Sequence, residues 1–168
     1  WGFRAWKADG KRYVIVNGKE WGPYEDVSYS PHFSSDGSAW GCLAWKADGK
    51  RYVIVNGKEW GPYEDVYEEL RGNPPVFSSD GSAWGFGAKK ADGKWYVIVN
   101  GKEWGPYEDV DPFSPYFSSD GSAWGFAAKK ADGKRYVIVN GKEWGPYEAL
   151  DPYEAKYSLC FSSDGSAW

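Results

Sequence analysis

The feature that most constrains this chain is repetition. Thirteen residues, YVIVNGKEWGPYE, recur four times without a change, at Tyr13–Glu25, Tyr52–Glu64, Tyr96–Glu108 and Tyr136–Glu148. A second block, FSSDGSAW, also recurs four times, at Phe33–Trp40, Phe77–Trp84, Phe117–Trp124 and Phe161–Trp168. Because a spacing of about 40 residues is the length of one supersecondary unit in a repeat protein, four similar units are predicted.

The identity of the copies indicates how the sequence arose. Natural duplicates diverge fastest at the surface, because most surface substitutions change stability little. Here even Lys, Asn and Glu are the same in every copy of the first block. A designed or consensus-built sequence is therefore predicted, and a very recent natural amplification is the alternative. The positions at which the copies differ then carry the information about function.

Composition and charge narrow the classes of partner. The net charge is −4 and Lys and Arg are dispersed, so no basic stripe is available for nucleic acid. No apolar run approaches about 18 residues and no charged-then-apolar leader is present, so neither a membrane partner nor secretion is predicted. The localisation stays open, with recombinant cytoplasmic expression expected. One His and two Cys do not show zinc-ligand spacing, so neither a metal nor a cofactor is expected.

The sequence from Phe77 to Val110 predicts a four-stranded antiparallel meander. Its strands are expected at 77–79, 82–91, 94–99 and 102–110. Asp92-Gly93 and Asn100-Gly101 predict two-residue hairpin turns, since a type I′ turn needs positive φ at both positions. Pro106 cannot donate a hydrogen bond to a ladder, so the fourth strand is predicted at the edge of the sheet.

The third strand of each repeat, YVIV, is apolar on both faces. Val97 and Val99 alternate with Tyr96 and Ile98, so neither face of the sheet is suited to water. A small sheet of this kind has to be packed between neighbours, as four-stranded blades are in a β-propeller. The predicted fold class is therefore all-β, a four-bladed β-propeller formed by residues 1–168 as one domain.

The two terminal segments predict how the ring closes. Trp1-Gly2-Phe3 matches the second-strand sequence Trp84-Gly85-Phe86, and Phe161–Trp168 has the sequence of a first strand. Pairing the two segments would remove two open sheet edges. The blades would then be 161–168 plus 1–27, 33–66, 77–110 and 117–150. Closure within a monomer is predicted, and an eight-bladed ring closed by homodimerisation through the same strand exchange is the alternative.

A family resemblance supports this fold class. The FSSDG element, followed by a strand, Asp-Gly, a β-branched strand and Asn-Gly, resembles the FSPDG-type repeats of TolB-like and WD40-like propellers. The resemblance covers essentially the whole chain, and the near-perfect repetition looks most like the designed pseudosymmetric β-propellers. It implies the fold and leaves the function open, since propellers have many unrelated functions.

The copies differ in a limited set of positions. The four connections to the FSSDG elements are all distinct, at 28–32, 67–76, 111–116 and 151–160. Two second-strand positions vary, one comprising Arg4, Leu43, Gly87 and Ala127 and the other Trp6, Trp45, Lys89 and Lys129. Cys42 replaces a Phe in one copy, and Trp95 replaces an Arg in another. Because these connections and the second-to-third turns of a meander emerge together, the variation is expected on one face of the ring, as in a built binding site.

These differences supply the candidate site residues. The predicted ligand-binding residues are Arg4, Trp6, His32, Cys42, Leu43, Trp45, Val76, Lys89, Trp95, Phe113, Tyr116, Lys129, Tyr157 and Cys160. Four of them, His32, Val76, Tyr116 and Cys160, each precede the conserved Phe and are expected to ring the channel mouth, with His32 opposite Tyr116 and beside Cys160. Trp6 and Trp45 would form an apolar wall facing the cationic Lys89 and Lys129, which suits a hydrophobic anion.

The predicted function is a non-enzymatic binding module that holds a small molecule over the central funnel. A small ligand is favoured because the differences reach into strands as well as loops. A binder of a target protein through the four loops and a symmetric scaffold without a ligand are the alternatives. His32 could lower the pKa of the Cys160 thiol, but neither an orienting residue nor oxyanion donors can be assigned, so no catalytic residue is predicted. Cys42 and Cys160 are predicted to be free thiols.

Overall fold

The computed structural model describes residues 1–68, 74–150 and 159–168, so the predicted site residue Tyr157 lies outside the described part. Every regular element in these residues is a β-strand, which confirms the all-β prediction. The strands are β1 (Gly2–Trp6), β2 (Arg12–Val16), β3 (Lys19–Tyr24), β4 (Asp26–Phe33), β5 (Trp40–Trp45), β6 (Arg51–Val55), β7 (Lys58–Tyr63), β8 (Asp65–Val66), β9 (Val76–Phe77), β10 (Trp84–Lys89), β11 (Trp95–Val99), β12 (Lys102–Tyr107), β13 (Asp109–Val110), β14 (Tyr116–Phe117), β15 (Trp124–Lys129), β16 (Arg135–Val139) and β17 (Lys142–Tyr147). None of the described residues forms a helix that could span a membrane.

The strands form four antiparallel sheets, one for each repeat. Sheet 1 has the order β1-β2-β3, and sheet 2 has the order β4-β5-β6-β7. In sheet 3 the order is β8-β10-β11-β12, with β9 also paired to β10; in sheet 4 it is β13-β15-β16-β17, with β14 also paired to β15. The strands of sheets 2, 3 and 4 are called first to fourth in this order, and β1, β2 and β3 are the second to fourth strands of sheet 1.

The two hairpin turns of each repeat differ in type. Asn100 and Gly101 have φ values of 50° and 82°, which confirms the positive φ predicted at both positions of the Asn-Gly turn. Asp92 is not at positive φ. Its turn has three residues between Lys90 and Lys94, and the Asp92 carboxylate accepts a hydrogen bond from the Lys94 N–H at 2.9 Å. The predicted two-residue Asp-Gly turn is wrong, because this carboxylate bonds the backbone locally instead.

The fourth strand ends earlier than predicted. It stops at Tyr107, and Asp109 and Val110 pair with Lys129 and Ala128 of the next sheet. Val110 is buried among side chains of sheets 3 and 4. Because the chain crosses to the next sheet at this point, it places an apolar side chain between the two sheets. The strand that carries Pro106 does lie at the edge of sheet 3, as predicted.

Both faces of the internal sheets are buried. Ile98 of sheet 3 packs in a cluster with sheet 2, whereas Val97 and Val99 pack in a second cluster with sheet 4. A third cluster lies between sheets 1 and 2. The expectation that each sheet is packed between neighbours is therefore confirmed for sheets 2 and 3.

Similar contacts recur at the interfaces between sheets, although Cys42 replaces the Phe at the interface of sheets 1 and 2. At the fourth-strand edge, the Trp60 ring lies 5.0 Å from Trp84 and covers Gly101 of the next sheet. In the middle of the interface, the Tyr63 and Phe86 rings are 5.6 Å apart. The Ser-Asp-Gly turns also stack: the Asp36 N–H donates to Ser79 O and the Asp80 N–H donates to Ser119 O.

The two ends of the stack expose faces that are buried elsewhere. Phe3 in sheet 1 is 47% exposed and Tyr147 in sheet 4 is 42% exposed. The predicted pairing of Phe161–Trp168 with β1 is not among the strand pairs of the described residues. The turn in that segment instead stacks on the turn of sheet 4, where the Ser122 hydroxyl donates to Asp164 O at 3.2 Å.

Candidate functional site

The variable connections at 28–32, 67–76 and 111–116 interrupt the first strands of sheets 2, 3 and 4. In sheet 2, β4 pairs with β5 on both sides of a register shift, with Val27 opposite Ala44 and His32 opposite Gly41. The sequence placed these segments between blades, but each of these three leaves and rejoins one sheet edge, because the strand begins before the insertion. We call the first and second strands with these segments the variable edge. The fourth strands and the Asn-Gly turns form the constant edge.

One position anchors all four inserted segments. It lies two residues before the conserved Phe and is buried in every copy, as Pro31, Pro75, Pro115 and Leu159. Each of these side chains lies against a glycine of a neighbouring second strand, so that a Cβ added at that glycine would meet it: Gly2, Gly41, Gly85 and Gly125. Sequence reasoning missed this position, although proline in three of the four copies was a usable signal.

His32 is held between sheets 2 and 3. Its Nε2 bonds the carbonyl oxygen of Pro75, and its ring lies 5.5 Å from Phe77. Because that carbonyl can only accept, Nε2 carries the proton and Nδ1 is an acceptor. Burial lowers the pKa of His32, although the bond to Pro75 opposes this, so the ring is neutral at pH 7. Among the described residues, His32 Nδ1 is buried without a hydrogen-bond partner.

Ser28 places a second buried polar atom nearby. Ser28 lies opposite Leu43 and His32 lies opposite Gly41, two residues apart on β5, so both side chains are on the same face of sheet 2. The Ser28 hydroxyl is also buried without a partner among the described residues. Buried polar atoms are nearly always hydrogen-bonded, so this pair marks a place for a small polar group. Ser28 was not among the predicted residues.

Cys42 and Leu43 belong to the core. They are 1% and 0% exposed. Cys42 takes the place of Phe86 and Phe126 in the other sheets and packs in a cluster with Tyr24. Burial raises the pKa of the Cys42 thiol to about 12, so its reactive thiolate is scarce near neutral pH.

Trp95 is part of a packing set found in sheet 3. The Tyr67 ring stacks on Trp95 with centroids 3.9 Å apart and planes 11° apart. Tyr67 also donates to Asp109 at 2.9 Å. A Cβ added at Gly87 would lie 3.2 Å from the Tyr67 ring, so the small residue gives the ring room. Gly87 and Trp95, which differ from the residues of the other copies, therefore both accommodate Tyr67 of the inserted segment.

The aromatic and cationic candidates are interleaved. The Arg12 guanidinium lies 4.8 Å from the Trp6 ring and that of Arg51 lies 5.9 Å from Trp45. Lys89 Nζ lies 6.0 Å from the Trp95 ring. Since each aromatic ring has a cation beside it, the structure does not separate an apolar wall from a cationic one as simply as the sequence suggested.

Arginine pairs with aspartate at the start of the third strand in two sheets. The Nε of Arg12 in sheet 1 lies 3.3 Å from Oδ1 of Asp26, the first residue of β4 in sheet 2. Arg51 of sheet 2 forms the equivalent ion pair with Asp65. These pairs neutralise the guanidinium at this position.

Sheet 4 lacks that aspartate. Ala149 stands where the other copies have Asp, and Arg135 lies opposite Lys129 across β15 and β16. Neither cation forms an ion pair with an acidic side chain in the described part of the chain. Two adjacent positive charges are thus gathered at this end of sheet 4.

The remaining candidates lie on separate sheets. In the third insertion the Asp111 carboxylate accepts hydrogen bonds from the Phe113 N–H at 2.9 Å and the Tyr116 hydroxyl at 3.1 Å. Arg4 donates to Val27 O at 2.9 Å, which joins sheet 1 to sheet 2. Val76 lies opposite Gly85 at the edge of sheet 3.

For the four residues predicted to ring the channel mouth, the described contacts of His32 reach the neighbouring sheet. His32 contacts Phe77, the neighbour of Val76, on the next sheet. Cys160 is exposed, and both cysteines are free of disulfides. The predicted proximity of His32 and Cys160 is not among the contacts of the described residues, where His32 bonds Pro75 instead.

A cleft of about 390 Å³ lies between sheets 1 and 2, away from the insertions. Its lining residues are of the same type in every copy: Lys11, Gly22, Pro23, Glu25, Lys46, Ala47 and Glu59. Because these residue types recur in every copy, the cleft gives no reason for the differences between copies.

Within the described ranges, no group of three or more His, Cys, Asp or Glu side chains is placed to hold a metal ion. No protein-family model matches the chain, and no curated protein matches it significantly.

Proposed function

We propose that the four sheets are blades of a designed or consensus-built β-propeller. Two observations support this proposal. The antiparallel sheets pack face to face through a repeated interface, and the conserved FSSDG elements lie on the first strands. Exposed residues such as Lys102 and Glu103 are as invariant as buried ones, which supports construction from one repeat.

On this scaffold the protein acts as a non-enzymatic binding module whose site is the variable edge. The observation that carries the proposal is the distribution of differences. The four fourth strands share one sequence, KEWGPY, whereas the second strands and the segments inserted in the first strands differ from sheet to sheet. The repeats therefore differ at the positions that would contact a ligand bound between the variable edges of the sheets.

The ligand is a small molecule with an apolar body and an anionic group. Tyr29, 63% exposed, and Trp6, 62% exposed, offer aromatic surface. Lys129 and Arg135 offer two cations, and Ala149 stands where the acidic partner of Arg135 would be. His32 Nδ1 and the Ser28 hydroxyl can bond a polar group that enters between sheets 2 and 3. Arginine is well suited to carboxylate or sulfonate geometry.

A scaffold without a ligand is the second candidate. It is favoured by the set of Tyr67, Gly87 and Trp95, where differences between copies are explained by packing within the protein. A binder of a target protein would use the insertions alone and would not need the paired cations on β15 and β16.

The test uses 2-naphthalenesulfonate as an anionic aromatic probe in calorimetric titrations at low ionic strength. Arg135→Gln is expected to weaken binding at least about tenfold, or 1.4 kcal/mol. Arg12→Gln is the matched control, because that arginine occupies the same position in sheet 1 but is paired with Asp26, and it should change binding less than about twofold. Equal losses in both variants would place the site elsewhere. Absence of binding to the unsubstituted protein would favour the scaffold.

A further inference from the structure

The two ends of the stack carry complementary faces. The front face of sheet 1 consists of Phe3, Ile15 and Gly18. The rear face of sheet 4 consists of Val137, Trp144 and Tyr147. Phe3, Trp144 and Tyr147 are 47%, 36% and 42% exposed, which is unusual for large side chains at these positions of the repeat.

The equivalent residues inside the stack show what covers such faces. Phe86 and Ile98, on the front face of sheet 3, are each 1% exposed. They are covered by the rear face of sheet 2, where Tyr63 is 4% exposed and meets Phe86 edge-on. The rear face of one sheet thus fits the front face of the next, and sheets 3 and 4 repeat the arrangement through Tyr107 and Phe126 at 5.7 Å.

The glycines of the Asn-Gly turns show the same relation. A Cβ added at Gly101 or Gly141 would lie 2.5 or 2.6 Å from the tryptophan ring of the preceding sheet. No described atom lies within 4 Å of a Cβ added at Gly18. Gly18 is therefore uncovered, whereas its equivalents Gly101 and Gly141 are covered by a tryptophan of the preceding sheet. Trp144 is equivalent to those tryptophans.

The geometry of the repeated step argues against closure by four sheets. Trp60–Trp84 and Trp104–Trp124 have the same centroid distance, 5.0 Å, and interplanar angles of 52° and 51°. The equivalent Trp21–Trp40 pair between sheets 1 and 2 is at 4.6 Å and 58°, so the three steps of the stack are similar. After four such sheets Phe3 and Tyr147 are both still exposed, so the rotation per sheet is too small for the two faces to meet.

We propose that the rear face of sheet 4 binds the front face of sheet 1 in a second copy of this chain, and that two copies close one ring of eight sheets. The segment 159–168 of each copy then supplies the first-strand sequence beside β1 of its partner, as Phe33 does beside Trp40 within sheet 2. Only the closing of the ring rests on the proposed propeller; the fit of the two faces rests on the three internal interfaces.

Docking requires Trp1 of the second copy to replace Trp168 beside Trp144. Trp168 lies 5.3 Å from Trp144, as Trp40, Trp84 and Trp124 lie against the tryptophan of the preceding sheet. Trp1 is the equivalent residue of sheet 1 and would take this place when the second copy docks. Trp168→Ala is therefore expected to leave the dimer intact or to tighten it.

Sedimentation velocity over a hundredfold range of protein concentration tests the proposal. The expected mass is twice the 18.9 kDa of one chain, without larger species. Phe3→Glu and Tyr147→Glu each place a charge in the contact and should give monomers with unchanged circular dichroism. Tyr29→Glu is the matched control, since it changes an aromatic residue that is 63% exposed but lies on the variable edge, and it should stay dimeric.

Mixing the two variants separates this interface from other kinds of dimer. The intact rear face of Phe3→Glu can bind the intact front face of Tyr147→Glu, so the mixture should recover a dimer through one interface. A dimer joined front to front or rear to rear would leave one of the two variants dimeric on its own, which would overturn the proposal. A monomeric unsubstituted protein, or a series of species growing with concentration, would also overturn it.

Discussion

The constant and variable edges of the sheets have different roles, although the backbone is similar in every repeat. At the constant edge, Trp60 and Trp104 make the same contacts to the following sheet, down to the glycine each one covers. At the variable edge, Tyr67 stacks on Trp95 in one sheet, while Asp111 bonds Tyr116 in another. One interface used three times builds the stack, and the contacts made once are free to differ.

The difference indicates where function can be placed in a repeat protein. A residue in a repeated interface affects every step of the stack, since neighbouring repeats supply most of the stability. A residue of the variable edge affects its own sheet and the next. Lys129 can therefore contact a ligand without changing how the sheets stack, whereas His32 also bonds Pro75 of the next sheet.

The largest expected effect breaks the constant edge. Trp60→Ala should lower the free energy of unfolding by about 3 kcal/mol, because it leaves a cavity over Gly101 and beside Trp84. Tyr29→Ala, at the exposed variable edge, should change it by less than about 0.5 kcal/mol. Urea unfolding of both variants measures the contrast, and similar losses would show that the two edges do not differ in stability.

A smaller effect compares two glycines of nearly equal φ, 82° at Gly101 and 79° at Gly18. Gly18→Ala should cost about 1 kcal/mol, for the left-handed backbone alone. Gly101→Ala should cost about 1–3 kcal/mol more, because its Cβ would meet Trp60. Both are measured by thermal unfolding in the Phe3→Glu background, so that association does not contribute. Equal losses would mean that the tryptophan yields without strain.

A double-mutant cycle sharpens the description of the variable edge. Tyr67→Ser and Trp95→Arg each restore the residue found in sheet 2 and break the same stack. Their coupling should be about 1 kcal/mol in the free energy of unfolding. Additive effects would contradict the view that these two residues differ from the other copies for packing reasons.

The smallest expected effect concerns the Ser-Asp-Gly turns, which are the same in all copies. The Ser162 hydroxyl, with further bonds from Ser166, lowers the pKa of Asp164 to about 2. Since this folded pKa is below the unfolded value of about 3.9, the stabilisation is present above pH 4 and is lost as the pH falls towards 2. Carboxyl-carbon NMR titration should show Asp164 protonating well below the usual range of an aspartate. Asp164→Asn should remove part of the acid sensitivity of unfolding.

Much of the fold could be predicted because its signals are local. The Asn-Gly turns, the alternation around Ile98 and the edge position of Pro106 each depend on a few adjacent residues, and the structure confirms them. The Asp92 turn was predicted wrongly because its carboxylate bonds the backbone two residues on. The end of the fourth strand was predicted wrongly because Val110 is buried by the next sheet, and that contact has no local signal.

The site was less predictable than the fold. The sequence marked where the copies differ, and so marked His32, Trp95 and Lys129. It did not show that Trp95 is covered by Tyr67, or that Ser28 lies on the same face as His32. Those relations join residues of different strands and sheets, and they depend on how the insertions fold.

The sequence by itself determined that this protein is a set of repeated, all-β sheets with two apolar faces and one variable edge. Only the tertiary structure decided that the insertions lie within the first strands, and that Phe3 and Tyr147 remain exposed after four sheets. The reason is physical. Strand and turn preferences act over a few residues, whereas the rotation from one sheet to the next is set by the packing of Trp60, Tyr63 and their equivalents across the interface.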